Sequence, residues 1–297
     1  MTTSTIPSPI SKARCARRIL TACAALALNV SAAFGHGAID ERIAELTADL
    51  AQSPNDATLY FQLAEANCQH EDWPAALEAL ARAEALAPGR FPLDLVRGRA
   101  ELGVGRVAEG KAALDRFLAT HRENPQALVL RARAFELLGE NEACLADYRV
   151  ALAAAKQPEP DLFQEAAEAL AFRGHEDEAI RVLAGGIEKL GPVPSLVLKA
   201  MSFEIAAGHF DAALTRVDAM QKSALRPEPW MAKRAALLDQ AGRRAEAVAA
   251  WQALVAHLAA LPNLERGSHA MSTLAEQAQQ ALRRLSSTNS TPTAALP

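Results

Sequence analysis

The stretch Gly103-Val-Gly-Arg-Val-Ala-Glu-Gly-Lys-Ala-Ala-Leu114 holds two punctuating glycines, Gly105 and Gly110, between segments rich in alanine and leucine. Gly105, four residues, then Gly110-Lys111 approaches the spacing of a phosphate-binding loop. Such a loop needs Ser or Thr after the lysine to reach magnesium, and a strand leading into it. Ala112 follows Lys111 here, and the preceding residues carry a helical apolar period. The glycines therefore punctuate helices, and nucleotide binding is excluded.

The same punctuation recurs along the chain. Gly105, Gly139, Gly174, Gly208 and Gly242 are 34, 35, 34 and 34 residues apart, and Glu71 stands 34 residues before the first. Five residues after each comes a small side chain: Ala76, Gly110, Cys144, Ala179, Ala213 and Ala247. Six copies at a fixed period of this length signal a solenoid of supersecondary units. Each copy reads as two amphipathic helices, for example 127–138 and 142–155. The turn glycine permits the left-handed geometry that ends the first helix. The small residue lets the second helix approach closely.

The pattern resembles the tetratricopeptide repeat. In the first copy Tyr60, Leu63, Ala64, Trp73, Ala76, Leu77, Leu80, Ala83, Leu86 and Pro88 match its apolar, small and proline positions. Later copies depart from it: Arg97, Arg131 and Arg234 stand where the repeat is usually apolar, and the closing proline is lost in several. The resemblance covers residues 57–260. It implies an all-α, right-handed α-solenoid of about six helix pairs that acts as a scaffold, with first helices lining a concave face where a protein or peptide segment lies.

Composition agrees. Half the residues are apolar but only 5 % are aromatic, which suits close-packed helices better than strands. Residues 36–56 read as a capping helix for the first repeat, and 261–285 as a closing one whose polar face carries Glu276, Gln277, Gln279 and Gln280. Solenoids need such caps because terminal repeats otherwise expose core. Residues 286–297, rich in Ser, Thr and Pro, read as a disordered tail.

The beginning of the chain carries a targeting signal. Lys12, Arg14, Arg17 and Arg18 precede an apolar run over 19–33, with small residues at Ser31-Ala32-Ala33, the pattern of a cleaved secretory signal in 1–35. The run is short for a membrane span, and no later segment reaches the roughly 18 uninterrupted apolar residues that one needs. Leu20-Thr21-Ala22-Cys23 lies too early in the run to serve as a lipoprotein box. A periplasmic or secreted product without stable membrane insertion is the expectation. Without residues 1–35 the chain holds 27 basic and 35 acidic residues, a net charge of −8, which excludes a general nucleic-acid binder.

Candidate chemistry is sparse. Neither Gly-x-Ser-x-Gly nor His-Glu-x-x-His occurs, and no acid, base and nucleophile set falls at matching repeat positions, so no enzyme activity and no cofactor are expected. His175 and His209 occupy equivalent turns and read as solvated. Cys68 and Cys144 lie two repeats apart, roughly 20 Å by helix packing, beyond the about 7 Å between Cα atoms that a disulfide tolerates. They read as buried thiols. His36 is a candidate metal ligand. Cleavage after Ala33 leaves Phe34-Gly35-His36, whose amine, amides and imidazole suit Cu(II) or Ni(II); cleavage after Gly35 makes His36 terminal, and cleavage after Ala32 weakens the site.

The candidate partner site is arginine-rich. Arg99 and Arg133 fall at equivalent first-helix positions, with Arg97 and Arg131 beside them. Arginine pairs carboxylates bidentately, so this patch suits an acidic or C-terminal carboxylate group of a partner. The competing reading pairs these arginines internally with Glu65, Glu101, Glu136 or Glu168.

Overall fold

The computed structural model describes residues 37–287. The signal segment, His36 and residues 288–297 lie outside them. Every regular element among the described residues is a helix. They fall into two compact units, one ending at Ala154 and the other starting at Ala155.

The first unit opens with α1 (37–52) and continues with three pairs: α2 (Ala57–Gln69) with α3 (Trp73–Leu86), α4 (Leu93–Gly103) with α5 (Val107–Thr120), and α6 (Pro125–Leu138) with α7 (Asn141–Ala154). Local chemistry sets these boundaries. The Asp56 carboxylate accepts the Thr58 N–H at 2.7 Å and starts α2, Asp72 does the same for Ala75 at 3.1 Å, and Asn124 for Ala127 at 2.9 Å. Each satisfies an amide that the first helical turn leaves without a partner. At the other end of α6, Gly139 adopts φ +74°, and the Glu140 N–H reaches back to the Phe135 carbonyl at 2.8 Å, closing the helix in a left-handed cap. All five repeat glycines have positive φ. Glu71, the sixth copy, takes the same geometry at φ +64°, alone among the described non-glycine residues.

The small positions also behave as their spacing predicts: Ala76, Gly110 and Cys144 in this unit, and Ala179, Ala213 and Ala247 in the next, are all buried. A Cβ on Gly110 would lie 2.9 Å from Leu102 Cγ and 3.1 Å from the Gly98 carbonyl oxygen, so α4 and α5 meet nearly backbone to backbone. The core of the first pair is Ala64, Cys68, Ala76, Ala79, Leu80 and Ala83, sealed by Leu93, Val96 and Ala100 of the next. First helices of successive pairs also touch one another, α2 with α4 and α4 with α6, which makes their side the inner face of this unit. Leu46 and Leu50 of α1 are buried, and Arg42 donates to Gln62 of α2 at 3.1 Å, as a capping helix should.

The second unit contains α8 (Pro160–Phe172) with α9 (Glu176–Leu190), α10 (Pro194–Ala206) with α11 (Phe210–Ser223), and α12 (Glu228–Gln240) with α13 (Arg244–Ala260), then the short α14 (Asn263–Arg266) and α15 (His269–Ser287). Met271, Ala278, Ala281 and Leu285 of α15 join the core built on Leu238, Trp251 and Leu254. Glu276, Gln277, Gln279 and Gln280 face water. Two boundaries differ from the sequence reading. The closing helix runs through Ser287, so Ser286 and Ser287 are helical, because apolar positions continue to Leu285 and the helix needs a further turn to bury it. The segment before it contains α14, started at Pro262 and stopped at Gly267.

Candidate partner-binding groove

The four nominated arginines divide by where their side chains go. Arg97 on α4 reaches Glu84 on α3 at 2.5 Å and Asp94 at 3.6 Å. Arg131 on α6 holds both oxygens of Asp147 on α7, from Nε at 2.7 Å and Nη2 at 2.8 Å, and Asp115 on α5 from Nη1 at 2.8 Å. These bonds, Asp147 first, hold the Arg131 guanidinium well above its ordinary pKa. Arg234, at the equivalent position in the second unit, reaches Asp218 on α11 at 2.7 Å. The arginine that replaces an apolar residue thus ties each of three first helices to the preceding second helix, with a carboxylate supplied across the junction.

Arg99 is different. It is half-buried on the inner face of the first unit and forms no ion pair among the described residues. Its charge acts on Cys68, whose thiol burial nevertheless pushes up to about 11. Glu65, one repeat earlier at the same position, is pushed above the usual carboxylate range by burial alone, so the two are not joined. Arg133 is exposed at the same position on α6. Arg99 stands between Glu65 and Arg133 at the matching positions of α2 and α6; one helical turn before that row, Phe61 on α2 and Leu95 on α4 are half-buried, and Phe61 stacks on Phe91 with ring centres 4.9 Å apart. Arg90 lies over Phe91 at 5.2 Å. The sequence reading missed this Phe61–Phe91–Arg90 group because its members lie in different elements, and missed Glu84, Asp115 and Asp147 because it sought acids on first helices only; Asp94, on α4 itself three residues before Arg97, carried no signal beyond its spacing. Of the acids it named, Glu101 pairs with Arg106 at 2.6 Å and Glu168 with Lys199.

Cys68 and Cys144 are buried and not disulfide-bonded. His175 and His209 are exposed at the starts of α9 and α11 and share an open polar hollow with Glu176, Asp177, Glu178 and Arg181. Among the described residues no three His, Cys, Asp or Glu side chains converge as a metal site. His36 lies outside those residues.

No protein-family model and no curated protein matches the sequence. Solved structures do. PilW, described as a widely conserved type IV pilus biogenesis factor, superposes with a TM-score of 0.52 at 21 % identity, over 61 % of this chain and 83 % of its own. The six helix pairs, each closed by a left-handed turn and crossed at a small buried residue, decide the architecture. The fold is that of the tetratricopeptide repeat. Two further solved structures with this fold are a tetratricopeptide repeat protein from Parabacteroides merdae ATCC 43184 (TM-score 0.48, 18 % identity, 78 % of this chain and 92 % of that one) and YrrB, described as having an unusual peptide-binding site (0.45, 18 %, 58 % and 89 %). In the tetratricopeptide fold of this chain, the inner face of the first unit therefore combines a half-buried arginine without an ion pair, a stacked aromatic pair and aliphatic side chains.

Proposed function

We propose that the protein is a non-catalytic scaffold that holds a segment of a partner protein on the inner face of its first unit, with Arg99 receiving an acidic or C-terminal carboxylate group. The observation that carries this reading is the contrast between Arg97 and Arg131, committed to internal carboxylates, and Arg99, half-buried with none. A half-buried guanidinium pairs a carboxylate more strongly than one in open water, because less solvent screens the pair. Phe61, Phe91 and Leu95 supply apolar area for the partner's neighbouring residues, as ligand grooves generally require. Arg133, at the same position one repeat on, extends the basic character of the face. The basic residues and apolar run of the first 35 positions support a location in the bacterial envelope or outside the cell.

The test is affinity capture after crosslinking in the native envelope, with wild type, the Arg99→Glu, Arg133→Glu pair, and Arg181→Glu as a surface-charge control. The captured protein's crosslinked segment is mapped, and its synthetic peptide is titrated with a free and an amidated end. The reading requires a partner retained by wild type and Arg181→Glu, with the peptide bound on the order of tenfold more weakly by the pair. Equal binding by all three variants rejects it.

A further inference from the structure

α15 stands where a seventh pair would begin. It packs against both α12 and α13, as α4 does against α2 and α3, α6 against α4 and α5, and α10 against α8 and α9. Each of those first helices is followed by a second helix that a short turn folds back along it, and none follows α15 among the described residues. Beside α15 lies an open hollow of about 790 Å³, between the start of α13 and the end of α15. Val248, Leu282 and Leu285 form its apolar wall and are part of, or packed on, the core of this unit. It follows α13 from residue 244 to residue 252, about two helical turns.

The preceding pair shows where a further second helix would start. There the start of α13 meets the start of α11, with Arg243 reaching Asp211 at 2.7 Å. A second helix on α15 would by the same arrangement start beside the start of α13, in this hollow. The charge there is positive. Arg283 lines the hollow, is exposed, and its side chain forms no ion pair or hydrogen bond among the described residues. Arg244, also in the wall, donates to the Leu285 carbonyl, an uncharged group that leaves its charge uncompensated. The acids nearby in sequence are engaged by other arginines, Asp239 by Arg284 and Glu246 by Arg243, and no carboxylate lines the hollow. Five of the six second helices of this chain carry an acid in the first turn, at Glu109, Glu142, Glu176, Asp211 and Glu246, where the helix dipole favours it. A helix of that kind would set its acid against Arg283 and Arg244.

We propose that the hollow between α13 and α15 receives an amphipathic helix of a partner protein, with an acidic first turn at Arg283 and Arg244 and apolar side chains on Val248, Leu282 and Leu285. The partner thereby completes the seventh pair in trans. A second copy of this chain is a poor donor, because its long helices are already packed into its own core. The site uses no residue of the first unit.

The test titrates the full chain with a fluorescein-labelled synthetic peptide of residues 175–190, whose helical part begins with Glu176, Asp177 and Glu178, and follows fluorescence polarisation. The proposal requires binding that weakens roughly fivefold when those three acids are glutamine, and roughly fivefold in Arg283→Glu. Lys222→Glu, an exposed charge on α11, should bind as wild type does. Gln252→Trp fills the hollow from an exposed position and should abolish binding. Equal binding of the two peptides, no binding, or undiminished binding by Gln252→Trp overturns the proposal. Loss in Arg99→Glu with Arg283→Glu unaffected overturns it in favour of the first unit's inner face. Binding that appears only after residues 288–297 are deleted overturns it in favour of that segment as the occupant. A dimer in sedimentation velocity that Gln252→Trp abolishes overturns it in favour of a second copy.

Discussion

Arg131 grips Asp147 through two parallel hydrogen bonds, from Nε at 2.7 Å and Nη2 at 2.8 Å, while Nη1 holds Asp115. The pair lies largely out of water, with 22 % of the arginine side chain and 8 % of the aspartate exposed. One guanidinium thereby joins α5, α6 and α7 where the repeat usually places an aliphatic contact.

Arg131→Leu should accordingly destabilise the first unit by about 2–3 kcal/mol, because it leaves Asp147 buried without a partner. Arg131→Leu combined with Asp147→Leu should recover most of that loss, since an apolar pair of similar volume replaces the ion pair. Urea denaturation followed by circular dichroism compares the two. Equal midpoints for the single and double variants would refute the argument.

Gly103→Ala is expected to cost about 1–3 kcal/mol by overpacking. The added Cβ would come within 2.2 Å of Trp73 Cδ2, so the indole must move, and tryptophan emission should change with stability. Gly105→Ala meets no atom within 4 Å but sits at φ +81°, so its expected cost is backbone strain of about 1 kcal/mol without the change in emission.

Cys68 should resist iodoacetamide at pH 8 in the folded chain. Its thiol is buried and pushed up to about 11, and the thiolate is the reactive form. Peptide mapping after alkylation should find it modified only once denaturant is added. Rapid modification without denaturant would contradict the burial.

Asp56 provides a pH test. Its hydrogen bond from the Thr58 amide lowers its pKa below the ordinary 3.8. A carboxylate depressed on folding contributes stability above the unfolded value of about 3.9, and that contribution is lost as pH falls through the folded value. Asp56→Asn keeps an accepting oxygen but does not titrate. Wild type should melt higher than Asp56→Asn at pH 7, and the gap should close below about pH 4. A gap independent of pH would assign it to shape and not to charge.

Much of the architecture was legible because it is written locally. A glycine every 34 or 35 residues marks the positive-φ turns found at Gly105, Gly139, Gly174, Gly208 and Gly242, and the small residue five positions later marks the helix crossing. Even Glu71 could be found by counting back 34 residues, since the repeat demands its turn whatever side chain is there. The site was legible only as residue types. The spacing of Arg97, Arg99, Arg131 and Arg133 says that two repeats carry basic first helices, but neighbouring arginines on one helix point in different directions.

What the sequence by itself determined is the number of helix pairs, their turns and the close approach within each pair, because each depends on backbone conformation and side-chain size within about 34 residues. What only the tertiary structure decided is the fate of each charge. Arg97 and Arg131 meet Glu84, Asp115 and Asp147 across helix junctions, Arg99 forms no ion pair among the described residues, and Arg226 meets Glu265 39 residues further along the chain. An ion pair is settled over a few ångströms between elements, by a distance that spacing along the chain does not encode.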